Sequence, residues 1–304
     1  LTGIKRADYD YCSQKSYFFI RAGKRGLRIF SLWQNNSFLG RKGGVEMKID
    51  ISADVGESFG RWKLGYDEEL MEYISSANVA CGFHAGDPMV MRHTVKLAQK
   101  NGVKIGTHVG FPDLMGFGRR LMALSPEEYL NYSLYQGGAL QAIARAEGEE
   151  LQHFTWHGSA GTSFNSDNEE IARAGIAAVA QLDKNIIVPL IYGPKGDLMA
   201  REAAKAGLKV VRKFFADRPL DAGGMLVSRK KPGSVITDPE ECADRVLRMI
   251  QEKKVRTYDG KDIEAFGETV MVHGDTPSAV KVAQTIRKRL EAAGVKIVPI
   301  GELI

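Results

Sequence analysis

Four histidines constrain this chain more than any other feature: His84, His108, His157 and His273 each stand at or just past the end of an apolar run, close to a glycine or alanine. Scattered core histidines would not be expected to share one place in four successive units. Each unit has the same order, an apolar strand, a polar tip and then an amphipathic helical pattern, so chemically useful side chains collect at strand ends. The stretch from Ala80 through His84 to Pro88 is the most compact example. Ile74 to Val79 leads into it and Pro88 opens the helix that follows. Recurrence of the unit predicts a parallel α/β barrel with its chemistry on one rim.

The first strand begins after Met47, where Lys48-Ile49-Asp50-Ile51-Ser52 alternates and runs into Ala53-Asp54-Val55-Gly56-Glu57. Six more strands are expected over 74–81, 103–107, 151–156, 186–191, 209–215 and 269–272. Helices are expected to begin near Asp67, Met89, Ser125, Asn168, Asp197, Asp238 and Pro277; Ser125-Pro126-Glu127-Glu128 supplies a cap, a proline at the first helical position and an acidic first turn. A polar excursion over 219–236, a hairpin turning at Asp259-Gly260 and an edge strand within 295–300 complete the reading. The fold class is therefore α/β, a seven-stranded TIM-like barrel. No linker-like composition interrupts residues 47–304, which read as one domain.

Charge and cysteine content narrow the function. The net charge of +5 comes from the first 46 residues, which hold nine Lys or Arg against three Asp or Glu; the remainder is nearly neutral. A nucleic-acid role, which needs its charge on the folded surface, is therefore not expected. Nothing approaches eighteen consecutive apolar residues, so no membrane span is expected. Cys12, Cys81 and Cys242 have neither metal-ligand spacing nor the makings of a disulfide framework, which fits a reducing cytoplasm. Residues 1–46 show no sustained period. Met47, preceded by Lys42-Gly43-Gly44, reads as the natural start, and the upstream segment as a non-native or disordered leader.

Asp50, Ser52 and Asp54 fall on one side of the first strand, and two carboxylates inside a barrel are costly unless they meet a metal or cationic groups. Glu57 and Asp87 belong to the same rim. Such a carboxylate and imidazole cluster activates water as a general base or holds a divalent ion that does so. Asp54 is expected to be the base, with Asp50 and Glu57 beside it and His84 or His157 as proton donor or oxyanion stabiliser. Arg119, Arg120 and Arg218 lie on loops over this rim and suit a substrate carboxylate or phosphate, or else bridge Asp113 and Asp217. His93, inside a helix, and His153, inside a strand, read as structural. There is neither a P-loop nor a dinucleotide-binding glycine pattern.

The stretches Asp54 to Gly60, Ser76 to Pro88, Phe111 to Arg120, Phe215 to Arg218 and Val272 to Pro277 together resemble the LamB/YcsF family, over Met47 to about Ile297. The resemblance implies a seven-stranded barrel similar to that of the glycoside hydrolase/deacetylase superfamily. It also implies opening of the lactam 5-oxo-L-proline to L-glutamate, with ATP used at partner subunits resembling 5-oxoprolinase subunits B and C. Substrate-binding positions carried over with the motifs are Ser52, Asp87, His108, Arg119, Arg120, Arg218, His273 and Asp275.

The chain departs from the family pattern in two places. Ser52 stands where the first-strand pattern Asp-x-Asn-x-Asp has asparagine. At the fourth strand, Thr155-Trp156-His157-Gly158-Ser159-Ala160-Gly161-Thr162 replaces Lys-Pro-His-Gly-Ala-Leu-Tyr-Asn, with Asn165 as a substitute for the lost asparagine if the loop is rearranged. Losing that lysine removes a cation that could steady an oxyanion. Two other functions therefore stay open: a metal-dependent deacetylase or amidase acting alone, and a non-catalytic lactam-binding subunit.

Overall fold

Alternation along β1 (Lys48–Val55) sets the architecture, because both of its faces are buried for different reasons. Ile49, Ile51, Ala53 and Val55 join the apolar core, while Asp50, Ser52 and Asp54 are buried among polar groups on the other face. The computed structural model describes residues 46–163 and 168–304, together with short strands at Tyr9–Asp10, Lys15–Phe18 and Phe30–Ser31. Leu1–Gly44 and Val45–Ile304 form separate units. In the first, the three short strands pair antiparallel; the expectation for the leader falls otherwise outside the described residues.

In the second unit, β1 is joined by β2 (Ser76–Ala80), β3 (Lys104–Val109), β4 (His153–Trp156), β5 (Val188–Ile191), β6 (Val210–Phe215) and β7 (Thr269–Val272). Neighbours are parallel, in the order β4-β3-β2-β1-β7-β6-β5. The two ends meet at a parallel bridge between His153 and Ile187, where the Phe154 amide donates to the Ile187 carbonyl at 2.9 Å. A seven-stranded, largely closed parallel barrel results. The expected tail strand is the two-residue β8 (Lys296–Ile297), paired with the start of β1, and Ile300 beyond it packs with Ile187 and Val211.

The helices cover the barrel because each presents one apolar stripe to it. They are α1 (Asp67–Leu70), α2 (Pro88–Asn101), α3 (Pro126–Ala146), α4 (Gly158–Ser163), α5 (Glu169–Leu182), α6 (Pro194–Ala206), α7 (Pro239–Glu252) and α8 (Ala279–Ala292). On α7 the stripe is Cys242, Val246, Met249 and Ile250, and burying each large apolar side chain contributes about 1.5–3 kcal/mol. Ser125 and Glu128 close a capping box at the start of α3, as the sequence predicts. The short α4 is unexpected, since its two glycines and hydroxyl residues carry low helix propensity. α6 begins three residues before the expected Asp197, at a proline that suits a first helical turn. No helix among the described residues is long and apolar enough to cross a membrane.

Candidate active site

Inside the barrel, the inward residues of β1 meet two different surroundings. Asp50 accepts hydrogen bonds from the Ser75 and Ser76 hydroxyls at 2.8 and 2.6 Å, and from Thr269 on β7. Ser52 shares a 3.0 Å bond with Thr269. Asp54, one turn of the alternation higher, accepts from Asn78 Nδ2 at 3.0 Å and lies 3.2 Å from His108 Nε2. Asn78 in turn accepts from His153 Nε2 at 2.8 Å, whose Nδ1 accepts from Gln152 at 3.3 Å. His153 is thus the base of a chain that orients Asp54. It fits because Gly106 faces it on β3, where an added Cβ would lie 2.3 Å from the imidazole.

Above Asp54, Glu57, His84, His108 and His157 converge, all buried, with one ligand-capable atom each within 4.8 Å of the others. The network fixes where their lone pairs point. Thr155 donates its hydroxyl proton to the Thr107 carbonyl at 2.6 Å, so it accepts from His108 Nδ1 at 3.1 Å. His108 Nε2 then faces the centre, an acceptor when the ring is neutral and a donor to Asp54, 3.2 Å away, when the ring is protonated. His157 Nε2 donates to the Phe117 carbonyl at 2.8 Å, so its Nδ1 also faces the centre, 2.9 Å from His108 Nε2. Glu57 Oε1 lies 3.4 Å from His84 Nε2, 3.7 Å from His157 Nδ1 and 4.0 Å from His108 Nε2. Acceptor atoms crowded in this way require a cation or a shared proton between them. Glu57 Oε1 and both nitrogens of His84 are buried without a hydrogen bond, the state expected of ligands awaiting an ion. The donor set, three imidazoles and a carboxylate, fits a divalent transition metal.

Packing holds these rings in place. His84 and His157 stack with centroids 3.9 Å apart, and Phe117 sets its edge against both. Phe117 adopts a left-handed φ of 53°, uncommon for a side chain of its size, and in that conformation its carbonyl meets His157. Gly118, at φ +60°, lies so close that a Cβ there would approach His84 Cβ to 2.7 Å.

The two upper carboxylates are driven apart. Burial, with the charges of Asp54 and Asp275, pushes Glu57 well above the usual range. Burial also acts to raise Asp54, but the charge and hydrogen bond of His108, backed by His273 and His157, hold its pKa well below the ordinary value. Burial depresses His84 and His157, reinforced by the charge of His108 on each. Asp50, with no imidazole beside it, is raised by burial to about 6 despite its three hydroxyl donors. Two neighbouring carboxylates whose pKa values are driven in opposite directions are the usual ingredients of proton transfer.

A cavity of about 660 Å³ opens onto this site, walled by Asp54, His108, His157, Lys213, Arg229 and His273, among others. His273 Nδ1 donates to Asp217 at 2.8 Å, which leaves Nε2 for proton exchange. The remaining expected residues divide. Arg119 borders the cavity but pairs with Asp275 at 2.6 Å, and Arg120 pairs with Asp113, away from the cavity lining. Arg218 donates to the carbonyls of Ser234 and Val227 and so ties down the excursion. Asp87 caps α2 through Met89 and Val90 and accepts from Gly60 at 2.7 Å, a structural post. His84 does not border the cavity and lies in the cluster with Glu57, His108 and His157. Asp50 and Ser52 belong to the hydroxyl layer beneath. His93 is exposed on α2, near Glu68.

At the altered fourth-strand tip, Thr155 sets the His108 tautomer, and Trp156 donates from its indole to Ser133 on α3 at 3.1 Å. Asn165 lies outside the described residues. Sequence reasoning missed Asn78, Lys213 and Arg229, and it named Thr155 only as part of the altered tip and Asp217 only as a partner for an arginine. Lys213 left a signal, as the cation among the inward positions Val211, Lys213 and Phe215 of β6, and Asn78 shares the inward phase of Ser76.

Comparison with known proteins bears on the family and the fold. The sequence profile of the LamB/YcsF family matches residues 49–304. The chain is 52% identical over 258 residues to the 5-oxoprolinase A-type subunit of Pyrococcus abyssi, spanning 85% of this chain and 100% of that one. It is 43% identical over 256 residues to the corresponding 5-oxoprolinase component of Fusobacterium nucleatum, at 84% and 98% coverage. Among solved structures, the lactam utilization protein of Thermus thermophilus superposes with a TM-score of 0.78 at 45% identity, covering 84% of this chain and 100% of that one.

Proposed function

Because the chain belongs to the LamB/YcsF family, we propose that it is the hydrolytic subunit of an ATP-dependent 5-oxoprolinase, opening 5-oxo-L-proline to L-glutamate. The observation that carries this reading is the cavity of about 660 Å³ over Asp54, His108 and His157, in a chain that matches A-type 5-oxoprolinase components along their whole length. Asp54, held ionised, takes the proton of the attacking water. The carbonyl carbon gains the water oxygen and the ring C–N bond breaks. His273, fixed by Asp217, delivers a proton to the departing nitrogen. ATP is consumed at partner subunits of B and C type, which supply the ATP-dependent step.

Glu57, His84, His108 and His157 are the residues that would hold a divalent ion. Bound there, it lowers the pKa of water or polarises the lactam carbonyl. Thr155 and the Phe117 carbonyl keep the two imidazole lone pairs turned toward it.

The test is glutamate release from 5-oxoproline by residues 47–304, alone and mixed with cognate B and C subunits, with and without ATP. Turnover only in the ATP-supplied mixture supports the reading. The buried ligand cluster also favours a second reading, a metal-dependent amidase acting alone. ATP-independent turnover without partners, lost on chelation, would establish that one instead. Metal content by mass spectrometry, expected near one divalent ion per chain and lost in His84→Ala, tests the cluster separately.

A further inference from the structure

The cavity wall carries more positive charge than the site neutralises. Of the five cations that border it, Arg119 is matched by Asp275, Arg218 is spent on two backbone carbonyls and Lys230 is exposed. Lys213 and Arg229 are half-buried and line the same cavity, and among the described residues neither makes a hydrogen bond or an ion pair within contact distance, although the charge of Asp54 acts on both and those of Asp275 and Asp217 on Arg229. The Lys213 ammonium lies 5.2 Å from the centre of the Phe215 ring, a contact that holds a cation without discharging it. Burial depresses both basic groups, the mark of charges that gain from an anionic ligand. Lys213 projects inward from β6, and Arg229 comes from the excursion after it.

We infer that Lys213 and Arg229 form the substrate-carboxylate clamp of this chain, so that it selects lactams bearing a carboxylate over neutral ones. The inference rests on the lactam-opening function proposed above and adds a specificity element to it. A carboxylate anchored between the β6 lysine and the excursion arginine leaves the lactam carbonyl free to turn toward Asp54 and the imidazoles. Arg119 and Arg120 then act by holding loops, not substrate.

Calorimetric titration of the full chain with 5-oxo-L-proline, with neutral 2-pyrrolidinone and with inorganic phosphate tests this. The wild-type protein is expected to bind 5-oxo-L-proline at least about tenfold more tightly than 2-pyrrolidinone, since charge-assisted contacts of this kind carry that much or more. Lys213→Met and Arg229→Met should each weaken 5-oxo-L-proline about tenfold and leave 2-pyrrolidinone unchanged, with Lys213→Arg recovering most of the loss. Variants that weaken both lactams alike, or that keep the discrimination while losing only phosphate, overturn the clamp. Equal binding of both lactams by the wild-type protein also overturns it while leaving the lactam reading in place. Failure of the wild-type protein to bind either lactam removes both.

Discussion

Asp50 and Asp54 occupy the same strand and the same inward face, and both are enclosed by the barrel. Asp50 is surrounded by hydroxyls that donate to it and by nothing that changes charge. Asp54 faces imidazoles whose lone pairs are already directed at a common centre, beside a carboxylate oxygen with no hydrogen bond. The lower layer is a closed network and the upper layer an open one. An open network is where a proton, a metal or a substrate can enter, so chemical competence here follows from what the neighbours leave unsatisfied.

The largest expected effect separates the layers directly. Asp54→Asn should lower glutamate release in the reconstituted system by about a thousandfold, the scale of losing a general base, while its melting curve stays cooperative. An equal loss from Asp50→Asn would erase the distinction. For Asp50 the expected effect is on stability. Its folded pKa of about 6 lies above the ordinary 3.8, so the folded state holds the extra proton and wild-type stability falls as pH rises through that window. Relative to the wild-type protein, Asp50→Asn should gain about 2 kcal/mol between pH 4 and pH 7, read by denaturant unfolding at both pH values.

Thr155→Val keeps the shape of the side chain and removes the acceptor that fixes His108. A drop of about 10- to 100-fold in metal affinity or activity is expected, the usual cost of losing such a support, and a pH profile shifted from wild type would mark a changed His108. The smallest effect belongs to Asp87→Ala, which should cost about 1 kcal/mol of stability through the lost helix cap with glutamate release unchanged. A fall in substrate affinity instead would return Asp87 to the binding site.

The contrast explains what the sequence could and could not disclose. The strands and their tips were legible because period-two alternation and repeated histidines are local patterns, and the phase of Asp50, Ser52 and Asp54 follows from counting along one strand. Which of the two aspartates is reactive depends on Ser75, Ser76 and Thr269 for one and on His108, Asn78 and His153 for the other, and these meet only when the barrel closes. Asp87 shows the opposite difficulty: it lies within a motif of the site, yet the backbone at the start of α2 claims it. The fourth-strand tip looked like a loss in sequence, because the family lysine was the only feature to compare. In space, Thr155 holds an imidazole tautomer.

The bridge that closes the barrel also bears on Asp54. His153 is the residue on the β4 side of that single seam, and its side chain continues through Asn78 to the Asp54 carboxylate. The joint that fixes the circumference of the cylinder therefore also sets the aim of the Asp54 carboxylate. Slow hydrogen exchange at the Phe154 and Ile187 amides would be a direct gauge of how firmly that aim is kept, and each breath of the seam would register at that carboxylate.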